Sequence, residues 1–103
     1  MKRYGDAYLF KKAFCRSPEW EALIEFVKRR DGMCCQHPDC DFQSFDGKGL
    51  TAHHLVPFEC IELRMDPQNL KTLCIPCHKW THSKKNKNRI FILTYEEFKE
   101  SQK

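Results

Sequence analysis

The sequence predicts a small α+β domain, and three observations carry that expectation. "SPEWEALIEFVKRR" places Trp20, Leu23, Ile24 and Val27 at i, i+3, i+4 and i+7, the apolar stripe of an amphipathic helix. "LTAHHLVPF" and "NLKTLC" are two short β-type runs separated by loop residues. Two cysteine pairs, Cys35 with Cys40 and Cys74 with Cys77, bracket those runs at spacings that let tight turns present sulfurs to one tetrahedral ion.

The N-terminal helix opens with Ser17 as N-cap and Pro18 at its first position, and Asp31-Gly32 stops it. Its stripe is expected to pack on the core. From Met33 to Gly49 the chain is turn-rich, with "HPDC" and "FDGKG" as the strongest breakers. The first strand follows and ends at Pro57, "CIELRMDPQ" forms a loop closing at Asp66-Pro67, and "NLKTLC" is the second strand. "IPCHKWTHSKK" is expected as a helix with Pro76 near its start, "RIFILT" as a further β-type run, and Thr94 begins a capping box with Glu97 for a last helix, "YEEFKESQK". The whole is expected as a single domain over residues 1–103: a helical part at 1–32, a core at 33–83, and a basic segment with a C-terminal helix at 84–103.

Composition supports a folded chain. A length of 103 residues has room for one core, and 41% apolar residues with eight Phe is globular and not disordered composition. No run of about 18 apolar residues is present, and Lys and Asp interrupt the apolar pieces of "MKRYGDAYLFKKAF", so a cytoplasmic protein with no membrane partner is expected. Seven cysteines without an export signal point to metal ligation before disulfides. The formal charge of +4 falls to about +2 once four thiolates bind one zinc, so net charge argues weakly for nucleic acid. Its distribution says more: "KRR" and "KKNKNR" (Lys84, Lys85, Lys87, Arg89) flank the cysteine-histidine region.

Cys35 and Cys40 form C-x4-C, Cys74 and Cys77 form C-x2-C, and the four together predict a thiolate zinc site that staples a small core. Cys34 offers C-x5-C instead; adjacent side chains on a turn diverge, so one of the two ligates, and Cys35 has the tighter spacing. Cys15 and Cys60 have no pair and are read as small packing residues. Four thiolates leave no open coordination position, so this zinc is structural and the chemistry lies elsewhere.

Five histidines remain: His37, His53, His54, His78 and His82. His78 and His82 are i and i+4 on the expected helix and share one face. A single finger built from Cys35, Cys40, His78 and His82 fails on length, because 37 residues separate Cys40 from His78 where about 12 are expected. On a strand His53 and His54 face opposite ways, so one can join His78 and His82 on a metal while the other faces what the metal holds. Three neutral imidazoles leave coordination positions open, which makes a catalytic type of site.

Over about Trp20 to Ser83 these residues resemble the HNH endonuclease family, whose fold is the ββα-metal or His-Me finger, treble-clef-like in outline. The resemblance rests on "RDGMCCQ", "AHHLVPF", "PQNLKTLCIPCH" and "THS". The three signature positions match His54, Asn69 and His78 in order. His53 matches the metal-binding residue before the first signature histidine. His82 matches an additional helix histidine of some members, notably the nuclease colicins. The double cysteine pair is a common elaboration in phage and bacterial members.

The resemblance implies metal-dependent hydrolysis of DNA phosphodiesters to 5′-phosphate and 3′-hydroxyl ends. His54 would be the general base, Asn69 a loop clamp that does not touch substrate, and His53, His78 and His82 the ligands of one divalent ion. That ion is expected to be Mg²⁺, Mn²⁺, Zn²⁺ or Ni²⁺, beside structural Zn²⁺ on Cys35, Cys40, Cys74 and Cys77. Lys84, Lys85, Lys87 and Arg89 would meet DNA phosphates. One active site on so short a chain implies a monomer that nicks one strand at a time, with a dimer as the route to double-strand breaks. The competing reading is a non-catalytic treble-clef zinc module that binds DNA or a protein; it has no use for His54.

Overall fold

Ser17 lies in extended backbone and its hydroxyl accepts the Trp20 N–H at 3.2 Å, so a helix begins at Pro18, where a missing N–H costs nothing. The computed structural model describes residues 13–102. In it this helix, α1, runs Pro18–Arg30. Its stripe is the packing face: Trp20 and Val27 are buried with Ala52 and Leu70, and Leu23 and Ile24 are half-buried against them.

The end of α1 is tied to the sheet by polar groups. Asp31 caps the helix, and its carboxylate accepts the Thr72 N–H at 3.0 Å while Arg30 donates to Asp31 and to the carbonyls of Pro67 and Leu70. Burial alone would raise the Asp31 carboxyl, but its hydrogen bonds from Arg30 and Thr72 outweigh that and hold it below the usual range.

Two strands form an antiparallel pair, β1 (Leu50–His54) and β2 (Leu70–Cys74), with His53 opposite Lys71 and His54 opposite Leu70. Two short 3-10 turns, Ile61–Leu63 and Pro67–Asn69, connect them, and α2 (Ile75–Thr81) follows β2 directly. β1, β2 and α2 together are a ββα unit with α1 packed on the sheet. Val27, Leu70 and Leu73 are fully buried. Each gains about 1.5–3 kcal/mol from leaving water, a gross term that offsets part of the conformational entropy lost on folding. The last helix, α3 (Tyr95–Ser101), starts with the Thr94–Glu97 capping box and buries Phe98 against Val56 and Leu63.

Four expectations are corrected. β1 stops at His54 and not at Pro57, because the side chain of Asn69 takes the Val56 peptide and draws the chain out of the ladder. "RIFILT" forms no strand: Arg89 (φ 53°) and Phe91 (φ 62°) adopt left-handed backbone, and one backbone–backbone bond, Leu93 N–H to Leu55 O, joins the segment to the residue after β1. α2 ends at Thr81, which places His82 at the C-cap and the lysines on the turns beyond it. Cys15 is exposed and not packed, because it lies in the turn before α1; Cys60 is half-buried beside the Phe98 cluster. Among the described residues no helix is long and apolar enough to cross a membrane.

Candidate active site

The cysteine staple is built from two turns brought together by the sheet. After α1 the chain reverses through Gly32 (φ 69°) and Met33 (φ 57°), and the Cys35 N–H bonds Phe42 O so that Cys35 and Cys40 sit on one knuckle. Cys74 ends β2 and Cys77 lies in the first turn of α2. The Sγ atoms of Cys35, Cys40, Cys74 and Cys77 all lie within 4.8 Å of one another, with Cys40 to Cys74 at 3.9 Å. A tetrahedron with Zn–S bonds of about 2.3 Å has an edge of about 3.8 Å, so the quartet is gathered close to the spacing that zinc requires. Burial, and then its hydrogen bonds to the neighbouring thiols, push the Cys77 thiol up. Four crowded sulfurs accept negative charge only when a cation shares the space. Cys34 stands outside the quartet, with its Sγ on Gly32 O at 3.3 Å.

A second cluster gathers around β1. The ring nitrogens of His53, His78 and His82 lie within 4.8 Å of one another, with ring centroids 5.0–5.2 Å apart. His53 is 1% exposed. Its Nε2 lies 2.7 Å from Phe91 O, and a carbonyl only accepts, so the proton is on Nε2 and Nδ1 carries the lone pair. Among the described residues, that Nδ1 is the one buried side-chain nitrogen or oxygen with no hydrogen-bond partner. A buried lone pair left bare beside two further imidazoles, with the opposite nitrogen fixed on a carbonyl, is the arrangement that a metal-ligating histidine requires. Burial first, opposed by the Phe91 bond, and then the neighbouring histidines lower the His53 pKa to about 4, so the ring is neutral at working pH and ready to ligate.

His54 points to the other face of β1. Its ring stacks on Trp20 of α1 (5.2 Å between centroids, 5° between planes) and meets the edge of Phe58 at 5.8 Å. Its Nε2 donates to Arg64 O at 2.9 Å, which makes Nδ1 the basic nitrogen. Arg64 is held in turn: its Nε donates to Phe58 O at 2.9 Å and its guanidinium lies 3.9 Å over the Phe58 ring.

The loop that carries Arg64 is clamped by Asn69, which is 0% exposed. Asn69 Oδ1 accepts the Val56 N–H at 2.8 Å, and Nδ2 donates to Val56 O at 3.0 Å and Leu63 O at 3.2 Å. One amide thus joins the exit of β1 to the residue before Arg64.

Both histidine faces open on one cleft of about 560 Å³, lined by Trp20, His53, His54, Phe58, His78 and His82 with Cys15 and Glu59 at its wall. Lys84, Lys85 and Lys87 are exposed on the turns after α2. Arg89 is exposed but its guanidinium is 3.4 Å from the Glu97 carboxylate.

The structure therefore brings together His53, His54, His78 and His82, and separately Cys35, Cys40, Cys74 and Cys77. Three contributors were not legible as site residues in the sequence: the carbonyls of Phe91 and Arg64 and the stacking face of Trp20. Trp20 carried a signal, but only as part of an apolar stripe.

Residues 35–84 match the family model described as HNH endonuclease. No curated protein and no solved structure matches the chain.

Proposed function

We propose, from the match of residues 35–84 to the HNH endonuclease family model, that the chain is a metal-dependent DNA endonuclease that hydrolyses phosphodiesters to 5′-phosphate and 3′-hydroxyl ends. The observation that carries the reading is the divergence of two adjacent histidines on β1. His53 aims a bare Nδ1 at His78 and His82, and His54 presents a fixed, basic ring to the same cleft.

His53, His78 and His82 would hold a divalent cation (Mg²⁺, Mn²⁺, Zn²⁺ or Ni²⁺), which would supply charge stabilisation for the phosphate oxygens in the transition state. The protein's own groups do the rest. His54 takes a proton from the attacking water on Nδ1, while the bond from Nε2 to Arg64 O stabilises the imidazolium that forms. Trp20 and Phe58 restrict the plane of that ring, which lowers the cost of reaching the productive orientation. Asn69 acts at a distance by fixing the loop from Val56 to Leu63. Lys84, Lys85, Lys87 and Arg89 offer a basic surface to DNA phosphates, with Arg89 the weakest contributor because Glu97 already shares its charge. Zinc on the four cysteines is structural. With one such cleft among the described residues, the chain cuts one strand per event.

The test is a time course with supercoiled plasmid and each of Mg²⁺, Mn²⁺, Zn²⁺ and Ni²⁺ in turn. Open circles appearing before linear DNA, and no cleavage with chelator, support the reading. Intact plasmid across all four metals contradicts it.

A further inference from the structure

"KKNKNR" reads as a run of surface cations, and one residue inside it does not fit. Asn86 is 8% exposed. Its Nδ2 donates to Thr81 O at 3.0 Å and to Ile90 O at 3.0 Å, and its Oδ1 accepts the Ile90 N–H at 2.8 Å. The amide therefore ties the last residue of α2 to the turn that follows the lysines.

Both anchor points sit next to the histidine cluster. Thr81 lies between His78 and His82, and its hydroxyl donates to His78 O at 2.7 Å. Ile90 directly precedes Phe91, whose carbonyl receives the Nε2–H of His53 at 2.7 Å. The turn between them needs holding: Arg89 and Phe91 have φ of 53° and 62°, a conformation that costs about 1–2 kcal/mol for each residue with a Cβ and persists only where its surroundings impose it. The Arg89 N–H bond to Asn86 O and the three bonds of the Asn86 side chain supply that constraint.

We infer that Asn86 is a positioning residue for the histidine centre. It holds the turn 86–91 against the end of the ligand helix, so that Phe91 O selects the Nε2–H tautomer of His53 and turns Nδ1 toward His78 and His82. The inference rests on the reading of those three histidines as a metal centre. Loss of an outer hydrogen bond of this kind typically weakens metal affinity about 10–100-fold.

The full chain with zinc on its cysteines is titrated with Ni²⁺ by calorimetry, comparing wild type, Asn86→Ala, Asn86→Leu (similar volume, no polar atoms) and Asn88→Ala, an exposed neighbour. Wild type and Asn88→Ala are expected to bind one Ni²⁺ with the same affinity, and both Asn86 variants to bind at least about tenfold more weakly while keeping their zinc. Proton–nitrogen correlations of the histidine rings should show His53 in one tautomer in the Ni²⁺-free wild type and in a mixture in the Asn86 variants. Ni²⁺ affinity within about twofold of wild type in either folded variant overturns the role of Asn86 alone. Affinity lost only together with the cysteine zinc and the fold also overturns it, since Asn86 is then a general stability residue. A wild type that binds no Ni²⁺ overturns the metal centre and this inference together.

Discussion

Replacing Asn69 with Asp separates the shape of the clamp from its hydrogen bonds. The side chain keeps its size and keeps an acceptor for the Val56 N–H, but both donations vanish, leaving Val56 O and Leu63 O facing an oxygen inside the protein. A neutral hydrogen bond nets about 0.5–1.5 kcal/mol, and an orphaned buried partner costs about 1–3 kcal/mol. Two such losses predict a destabilisation of about 2–6 kcal/mol, large against a total of about 5–15 kcal/mol. The catalytic consequence is larger than the structural one, because the loop that Asn69 releases carries the Arg64 carbonyl that orients His54. A displacement of about 1 Å at a reacting group costs about 10²-fold in rate. Urea unfolding of the zinc-loaded variant should shift its midpoint at unchanged slope, and single-turnover cleavage should fall about 10²-fold with DNA affinity little altered. A loss below about 0.5 kcal/mol, or a destabilised variant that still cleaves at the wild-type rate, would refute the clamp.

Three further outcomes are expected. Cys35→Ser should lose zinc and most of the fold, whereas Cys34→Ser should keep both, read from bound zinc per chain and circular dichroism. Replacing Lys84, Lys85 and Lys87 with Ala should reduce the slope of log affinity against log salt by about 2–3, as expected if each lysine meets one phosphate. The third concerns pH, with the histidine site metal-free. His53 titrates near about 4 when folded and near 6.5 when unfolded, so the unfolded chain binds more protons between those values. Stability from this group is therefore present above about pH 6.5 and declines as pH falls towards 4, by up to about 3 kcal/mol; His53→Ala should flatten that decline in urea titrations at stepped pH.

What the sequence disclosed is what is local. Ser17 with Pro18, and Thr94 with Glu97, announce helix starts because a cap is made within four residues. The alternation of a strand sends His53 and His54 to opposite faces whatever they pack against, and cysteine pairs on turns show their spacing directly. The missing parts are long-range or carry no side-chain letter. Phe91 and Arg64 act through carbonyls, so nothing in their identities marks them. "RIFILT" has strand composition, but the buried amide of Asn86 imposes a turn on it, and the lysines around Asn86 concealed that residue. Trp20 was legible as core; that its ring would lie flat on His54 depends on α1 crossing the end of β1, which no periodicity specifies.

The proposed division of labour gives two adjacent histidines separate jobs, one on the metal and one on water. Its most direct test measures Ni²⁺ binding and Mg²⁺- or Mn²⁺-dependent plasmid nicking in parallel on His53→Ala and His54→Ala, with cysteine zinc confirmed in both. His54→Ala is expected to lose cleavage and to bind Ni²⁺ like wild type, and His53→Ala to lose both. Cleavage retained by His54→Ala, or Ni²⁺ affinity retained by His53→Ala, would contradict it.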